Sequence, residues 1–327
     1  MPARLASADA LLAADIGATH ARFVVAAGDG PAAAPVVLAT RDFATAAALL
    51  DAALAALNCE APAAACLAIA GPVDGNRGRI TNGSLAFDRS AAAAQLGCPL
   101  LLVNDFFALA RALPLLERLQ PIGAGQAEPG GVMAVLGPGS GLGMGALVPV
   151  PSGWRVLASE GGHADLAPGS PLEAELLGAL QRRHGHVSWE TVLSGPGLVR
   201  LYGAVCELWG VEPEVVDPEW ISANGVGAAE PVCHQTLEIF CGLLGAAAGN
   251  LALTVYATGG VYLGGGILPG MADFLLQSPL RRRFEERGPL TGSVQRMPLN
   301  LILDPAPGLT GALAWLRDER GAGNAIS

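Results

Sequence analysis

Apolar runs of strand length recur along the chain and alternate with Ala/Leu-rich stretches of helical spacing. Leu11-Leu12-Ala13-Ala14 and residues 22–27 read as two strands. The small-residue turn Asp15-Ile16-Gly17-Ala18-Thr19-His20 joins them, which predicts a β-hairpin. Residues 45–57 have helical spacing and stop at Asn58. Residues 65–70 form another apolar strand, closed by Gly71-Pro72, and the polar segment 79–84 is turn-like. A short helix over about 90–96 leads to Leu100-Leu101-Leu102-Val103, which reads as a central strand buried on both faces. That strand ends abruptly in Asn104-Asp105, and an amphipathic stretch over 108–113 follows it. Strand, helix, strand and helix at this pace predict an α/β sheet.

The loop 123–131 reads as a break between domains. After it the pattern restarts: strand 132–136, glycine-rich turn Gly137-Pro138-Gly139-Ser140-Gly141-Leu142-Gly143, return strand 144–150. Both halves thus open as apolar strand, small-residue tip with a hydroxyl, apolar strand. This weak internal repeat predicts two related α/β domains, each with a phosphate-sized loop. Helices are predicted over 171–183, 195–209 and 230–256, with Pro231 in the first turn of the last. Gly242, Gly245 and Gly249 inside it predict close approach of another backbone. A short strand over 261–263 runs into Gly264-Gly265-Gly266, a last strand covers 299–303, and a helix covers 309–317. Residues 321–327 read as a frayed tail.

A chain of 327 residues, 51% of them apolar, has room for two domains of ordinary size. Its most membrane-like stretch, 237–255, contains Glu238, Asn250 and several glycines, so a buried helix is the expectation. Asp9 and Asp15 interrupt any signal-peptide core after Arg4, and a soluble cytoplasmic protein is expected. The net charge is −10 and there is no lysine. Arg281-Arg282-Arg283 is too small a cluster to suggest nucleic acid and reads as a solvated helix face. The six cysteines have no CxxC or zinc spacing and read as free, mostly buried thiols of a reducing compartment.

Asp105 is the candidate general base and Asn104 the candidate orienting group, because the carboxyl ends of strands in open α/β sheets are where ligands bind. The simpler alternative is that Asp105 only caps the following helix. Three glycine turns, around Gly17, Gly139 and Gly265, let backbone N–H groups approach a phosphate. None fits GxGxxG, and a chain without lysine has no P-loop. Any triphosphate must therefore be held by backbone amides, the Thr19 and Ser140 hydroxyls and a metal ion. Asp15 suits Mg²⁺ held through water. In Ser159-Glu160-Gly161-Gly162-His163-Ala164-Asp165, Glu160 and His163 together suit sugar hydroxyls, which both donate and accept. A metal site from Glu160, His163 and Asp165 ranks lower, and a polar loop tied by its own hydrogen bonds remains open. His184 and His186 read as surface or packing residues. Glu190 is as well placed near a helix N-terminus as in a site.

Taken together, several of these stretches resemble the bacterial glucokinase family, hexokinase-like sugar kinases of the ribonuclease-H-like/actin-type ATPase fold. The carriers are the 15–22 turn, Ala70-Gly71-Pro72, Thr81-Asn82, Asn104-Asp105-Phe106, Gly139-Ser140-Gly141-Leu142-Gly143, Glu160-Gly161-Gly162-His163, Leu193-Ser194-Gly195-Pro196-Gly197 and Gly264-Gly265-Gly266-Ile267. Their order along the chain makes the resemblance specific. It implies two α/β domains flanking a central cleft, 1–115 with 306–327 and 116–305, the C-terminal helix returning to the first. It implies that Asn104, Asp105, Glu160, His163 and Glu190 contact glucose, with Asp105 as base. It implies that Asp15, Gly17, Ala18, Thr19, Gly139, Ser140 and Gly141 hold the ATP phosphates, with Gly265 near the adenosine. ATP and Mg²⁺ are the implied cofactors, glucose the substrate and a homodimer the implied assembly, with no nucleic-acid or membrane partner.

The chain departs from the family pattern in places. Gly17-Ala18-Thr19-His20 stands where Gly-Gly-Thr-Asn is common, and Ala18 adds a methyl where backbone closeness bears on ATP affinity. Ser140 stands in place of a usual Thr, and Leu85 in place of an aromatic residue. The Cys-rich zinc motif of the repressor/kinase group is absent, as is a helix-turn-helix extension before Leu11. The alternatives are a kinase of another hexose or with another phosphoryl donor, a non-catalytic sugar sensor, and, more distantly, a metal-dependent hydrolase using Glu160 and His163.

Overall fold

The computed structural model describes residues 9–321. The chain divides into two compact units, one formed by residues up to 117 together with those from 304 onward, the other by 118–303. The loop 123–131, expected as a break between domains, lies inside the second unit.

The first unit is built on a five-stranded sheet of order β3-β2-β1-β4-β8. Its strands are β1 (Ala10–Ile16), β2 (His20–Ala27), β3 (Val36–Ala39), β4 (Ala64–Ile69) and β8 (Leu100–Asn104). β1 pairs antiparallel with β2 as the hairpin predicted, and parallel with β4, which pairs parallel with β8. β8 was expected to be central but closes one edge of the sheet, and only part of it is buried. Strand periodicity is plain in β1: Ala10, Leu12, Ala14 and Ile16 enter one core, Leu11 and Ala13 the other.

The first core is shared with α1 (Ala46–Leu57) and α2 (Arg89–Leu96), the second with α3 (Asp105–Ala112) and α12 (Pro307–Gly321). Thr45 caps α1 and left-handed Asn58 ends it. α12 is tied to α3 by a two-pronged pair between Arg111 and Asp318, at 2.5 and 2.9 Å. Four strands of this unit escaped the sequence pattern: β3, and β5 (Val73–Asp74), β6 (Arg77–Arg79) and β7 (Ala86–Asp88), which form a small antiparallel sheet. Leu85, where an aromatic residue was expected, is fully buried in the first core.

The second unit carries a six-stranded sheet of order β12-β11-β10-β13-β14-β9. These are β9 (Leu119–Pro121), β10 (Met133–Pro138), β11 (Leu142–Val150), β12 (Gly153–Ser159), β13 (Gly260–Leu263) and β14 (Leu299–Ile302). Helices α4 (Pro171–His184), α5 (Trp189–Val192), α6 (Gly195–Trp209), α7 (Pro218–Val226) and α8 (Pro231–Val255) follow β12. Three short helices, α9 (Ala272–Gln277), α10 (Leu280–Glu285) and α11 (Thr291–Arg296), precede β14. β9, β12, α5, α7 and α9 to α11 were not foreseen.

α8 is the one helix among the described residues long and apolar enough to cross a membrane, and 72% of its most apolar window is buried. Of its glycines only Gly245 has the predicted role, a Cβ there striking the Leu280 carbonyl of α10; a Cβ at Gly242 would meet only side chains at ordinary contact distance, and Gly249 instead makes room for the Arg287 guanidinium. Arg287 donates from that slot to the Ala246 carbonyl at 2.7 Å. The frayed tail expected over 321–327 falls, but for Gly321, outside the described residues.

Candidate active site

In the first unit the parallel register sets Ile16 of β1 level with Ile69 of β4, and Ile69 level with Asn104 of β8. Asp15 and Asp105 therefore sit at the same edge of one sheet, with β4 between their strands.

Asn104, not Asp105, is the helix cap. Its Oδ1 accepts from the Phe106 N–H at 2.8 Å and the Phe107 N–H at 3.4 Å. Its Nδ2 donates to the Gly71 carbonyl at 3.0 Å, which leaves a second amide hydrogen for a ligand. A side chain at Gly71 would collide with the Arg79 carbonyl, so the turn after β4 needs glycine. Asp105 opens α3, and its Oδ1 accepts from the Phe106 N–H at 3.0 Å. Burial first, and the nearby Asp15 carboxylate second, push the Asp105 carboxyl up to about 7, against the hydrogen bonds that favour its charge. Burial also raises Asp15, opposed by Arg22, its cross-strand partner. A Cβ at Gly308 would stand 2.8 Å from the Asp15 carboxyl, so the first turn of α12 rests against that group.

The β1–β2 tip is closed by the Gly17 N–H donating to the His20 carbonyl at 2.9 Å. Thr40 pins it from outside: its hydroxyl donates to the Gly17 carbonyl at 2.9 Å and its N–H to the Thr19 carbonyl at 3.0 Å. Thr19 is exposed. Ala18 packs against the first core and its backbone is not left-handed.

In the second unit the β10–β11 tip is Gly139-Ser140-Gly141, closed by the Gly139 N–H on the Gly141 carbonyl at 2.8 Å. The Ser140 hydroxyl is exposed. A Cβ at Gly137 would stand 2.6 Å from the Gly264 carbonyl, and one at Gly265 would strike the Pro138 carbonyl. Gly265 also has φ +92°, a conformation that excludes most side chains. The glycine turns around Gly139 and Gly265 therefore form one contiguous backbone surface.

Glu160 and His163 flank a 3-10 turn at the end of β12, both exposed. Gly162 lets that turn press onto the Leu142 carbonyl. Glu190 lies in the first turn of α5, inside the Ser188/Thr191 capping box. Its Oε2 accepts from the Leu142 N–H at 2.7 Å, and its Oε1 is 3.8 Å from the His163 Nε2. Asp165 instead meets His186 at 2.6 Å, which separates it from any set with Glu160 and His163 and gives His186 a partner. Among the described residues no three His, Cys, Asp or Glu groups are placed to hold a metal ion. Thr40 and Gly308, which support these sites, carry no signal as isolated residues and were missed, whereas Gly71 and Gly195 were named only as parts of longer motifs.

The glucokinase family model matches residues 12–319. A glucokinase of Chromobacterium violaceum is 43% identical over 311 residues, 94% of this chain and 89% of that protein. The crystal structure of a glucokinase from an Antarctic psychrotroph matches with a TM-score of 0.85 at 38% identity, covering 95% of this chain and 99% of that one. A ROK family glucokinase from Streptomyces griseus, solved in complex with glucose and AMPPNP, matches with a TM-score of 0.62 at 21% identity, over 94% and 98% of the two chains. At that identity the likeness is one of fold.

Proposed function

The chain belongs to the glucokinase family, and we propose that Asp105 is the base through which it transfers the γ-phosphoryl group of ATP to the 6-hydroxyl of glucose. The observation that carries this is the Asp105 carboxyl, held at a sheet edge with its pKa raised to about 7. A carboxylate of that basicity is matched to taking a proton near neutral pH. Asp105 accepts the hydroxyl proton as the sugar oxygen bonds to the γ-phosphorus and the bond to ADP breaks. The rest of the catalysis is positioning and charge stabilisation.

In this reading Asn104, Glu160, His163 and Glu190 hold the sugar. Glu160 and Glu190 accept from its hydroxyls, and the second amide hydrogen of Asn104 donates. The N–H groups of Ala18 and Gly141 and the hydroxyls of Thr19 and Ser140 hold phosphate oxygens, Gly17 and Gly139 shape the tips that their own N–H groups close, and Gly265 lies towards the adenosine. The use of ATP is supported by the family and by the AMPPNP complex of the Streptomyces griseus protein. Two carboxylates at one edge, each with its pKa raised, form a donor set that suits Mg²⁺ keeping several waters, with Asp15 as the residue that would hold it. When bound, the ion neutralises charge on the phosphates. The free cysteines fit a reducing cytoplasm. A homodimer is the proposed assembly, which light scattering on the purified chain tests.

The direct test is sugar-dependent ADP formation with Mg·ATP, for glucose, mannose, fructose and N-acetylglucosamine. Glucose is expected to support the highest kcat/KM. Preference for another hexose moves the substrate, and no turnover with any of them overturns the reading. Glu160→Gln is expected to raise the glucose KM about 10-fold with little change in the ATP KM; the reverse pattern removes Glu160 from the sugar site.

A further inference from the structure

Glu190 makes one contact that sugar binding does not require. Its Oε2 takes the Leu142 N–H at 2.7 Å, the first peptide after the Gly139-Ser140-Gly141 tip. A Cβ at Gly141 would stand 2.5 Å from the same oxygen, so the tip is shaped to let this carboxylate in. The other flank of the tip is fastened as well: the Gly195 N–H, at the start of α6, donates to the Gly139 carbonyl at 2.8 Å. The two fastenings share a base. The Ser194 hydroxyl donates to the Glu190 carbonyl at 2.9 Å and accepts from the Gly197 N–H at 3.0 Å. One short segment, 190–197, thus clasps both sides of the hairpin. Meanwhile the Glu190 Oε1 faces His163 at 3.8 Å.

We infer that Glu190 is a positioning residue for the phosphate hairpin, so that the carboxylate which meets the sugar also sets the nucleotide-binding backbone. The inference rests on the proposed assignment of the 139–141 tip to phosphate, and it adds a coupling to that assignment. A charged acceptor on a peptide N–H restrains that peptide more than a neutral one does. Here it fixes the plane of the Gly141–Leu142 peptide and with it the directions of the preceding N–H groups. A sugar that draws on Oε1 then stiffens a carboxylate whose other oxygen already holds the tip. Sugar and nucleotide are therefore expected to bind more tightly together than apart.

The test measures binding of Mg·AMPPNP to the full chain by calorimetry, with no sugar present. Glu190→Ala is expected to weaken nucleotide binding about 5- to 10-fold, through loss of the acceptor. Glu190→Gln keeps an acceptor for the Leu142 N–H and is expected to stay within about 2-fold of wild type for the nucleotide while its glucose KM rises. Glu190→Asp keeps charge and helix but withdraws the oxygen from Leu142. It serves if the alanine variant does not fold, and it is expected to follow that variant. Nucleotide affinity equal to wild type in both Glu190→Ala and Glu190→Asp, with glucose binding still weakened, overturns the inference and leaves the kinase reading intact. Absence of nucleotide binding by the wild-type chain overturns the kinase reading itself.

Discussion

The strands β3-β2-β1-β4-β8 of the first unit and β12-β11-β10-β13-β14 of the second have the same order and the same directions. In each, an antiparallel three-stranded meander is extended by two parallel strands, and the glycine-bearing tip joins the first strand to the second. The edges that the tips share are chemically opposite. Two residues before the closing glycine the first unit has Asp15 and the second has Gly137. The first edge adds Asp105 and so gathers charge. The second gathers bare backbone, because Gly137 and Gly265 are forced by the backbone that presses against them. In the proposed reading one scaffold supplies the base and the residue that would hold a cation in one copy, and neutral N–H donors in the other. A kinase needs both, and two copies of one strand order let each edge specialise without compromising the other.

The sharpest way to break this contrast is to remove the charge. Asp105→Asn or Asp105→Ala is expected to lower kcat about 100-fold or more, with the fold retained because Asn104 supplies the helix cap. Steady-state turnover with glucose and Mg·ATP checks it. Turnover within a few-fold of wild type removes the base from the first edge. On the second edge the matching change is steric. Gly265→Ala needs a left-handed alanine whose methyl strikes the Pro138 carbonyl. It is expected to cost about 2 kcal/mol or more of stability and to raise the Mg·ATP KM about 10-fold. Gly139→Ala is the control: its methyl meets open space and its backbone is not left-handed. Its melting temperature should match wild type while the Mg·ATP KM rises, since only an approaching phosphate meets the methyl.

The apolar run of β1, the stop of α1 at Asn58 and the repeated strand–tip–strand made the two-unit α/β organisation legible in the sequence. What sequence reading missed is set by long-range contact. β8 reads as central because four apolar residues run together, but it has a neighbouring strand on one side only, and of its residues Leu100 and Leu102 alone are buried. β12 was invisible because most of its residues are exposed, and an exposed edge strand has no apolar period to find. In the candidate site the residue types at Asp15, Asn104, Asp105, Glu160, His163 and Glu190 stood out. Their partners did not, because a glycine such as Gly308 earns meaning only from the carboxyl lying against it.

A smaller effect is carried by pH. The folded-state pKa of Asp105 is raised to about 7, mainly by burial. Between the ordinary carboxyl value and 7 the folded state holds a proton that the unfolded state has lost, so stability falls as pH rises through that window. Asp105→Asn removes the penalty. Its melting temperature should equal that of wild type near pH 4 and exceed it at pH 8, where the wild-type carboxyl is ionised in its buried site. Activity runs the other way: wild-type kcat/KM for glucose should climb with pH up to about 7 as the base ionises. A constant difference in melting temperature across pH would mean that the first edge does not hold its carboxylate under strain.

The smallest effect concerns the tip of the first unit, where the family pattern leads one to expect glycine at Ala18. The methyl packs inward on the first core and the backbone there is open to any residue. Ala18→Gly should therefore cost about 0.5–1 kcal/mol of stability, through a freer unfolded chain, and shift the Mg·ATP KM by less than about 3-fold. The second tip has no such anchor; Gly139 faces open space and is held by its backbone hydrogen bonds to Gly141 and Gly195. A 10-fold drop in the Mg·ATP KM of Ala18→Gly would show that the methyl obstructs the phosphate. The first tip would then bind by bare backbone like the second, and the division between a charged edge and a backbone edge would shrink to the two aspartates alone.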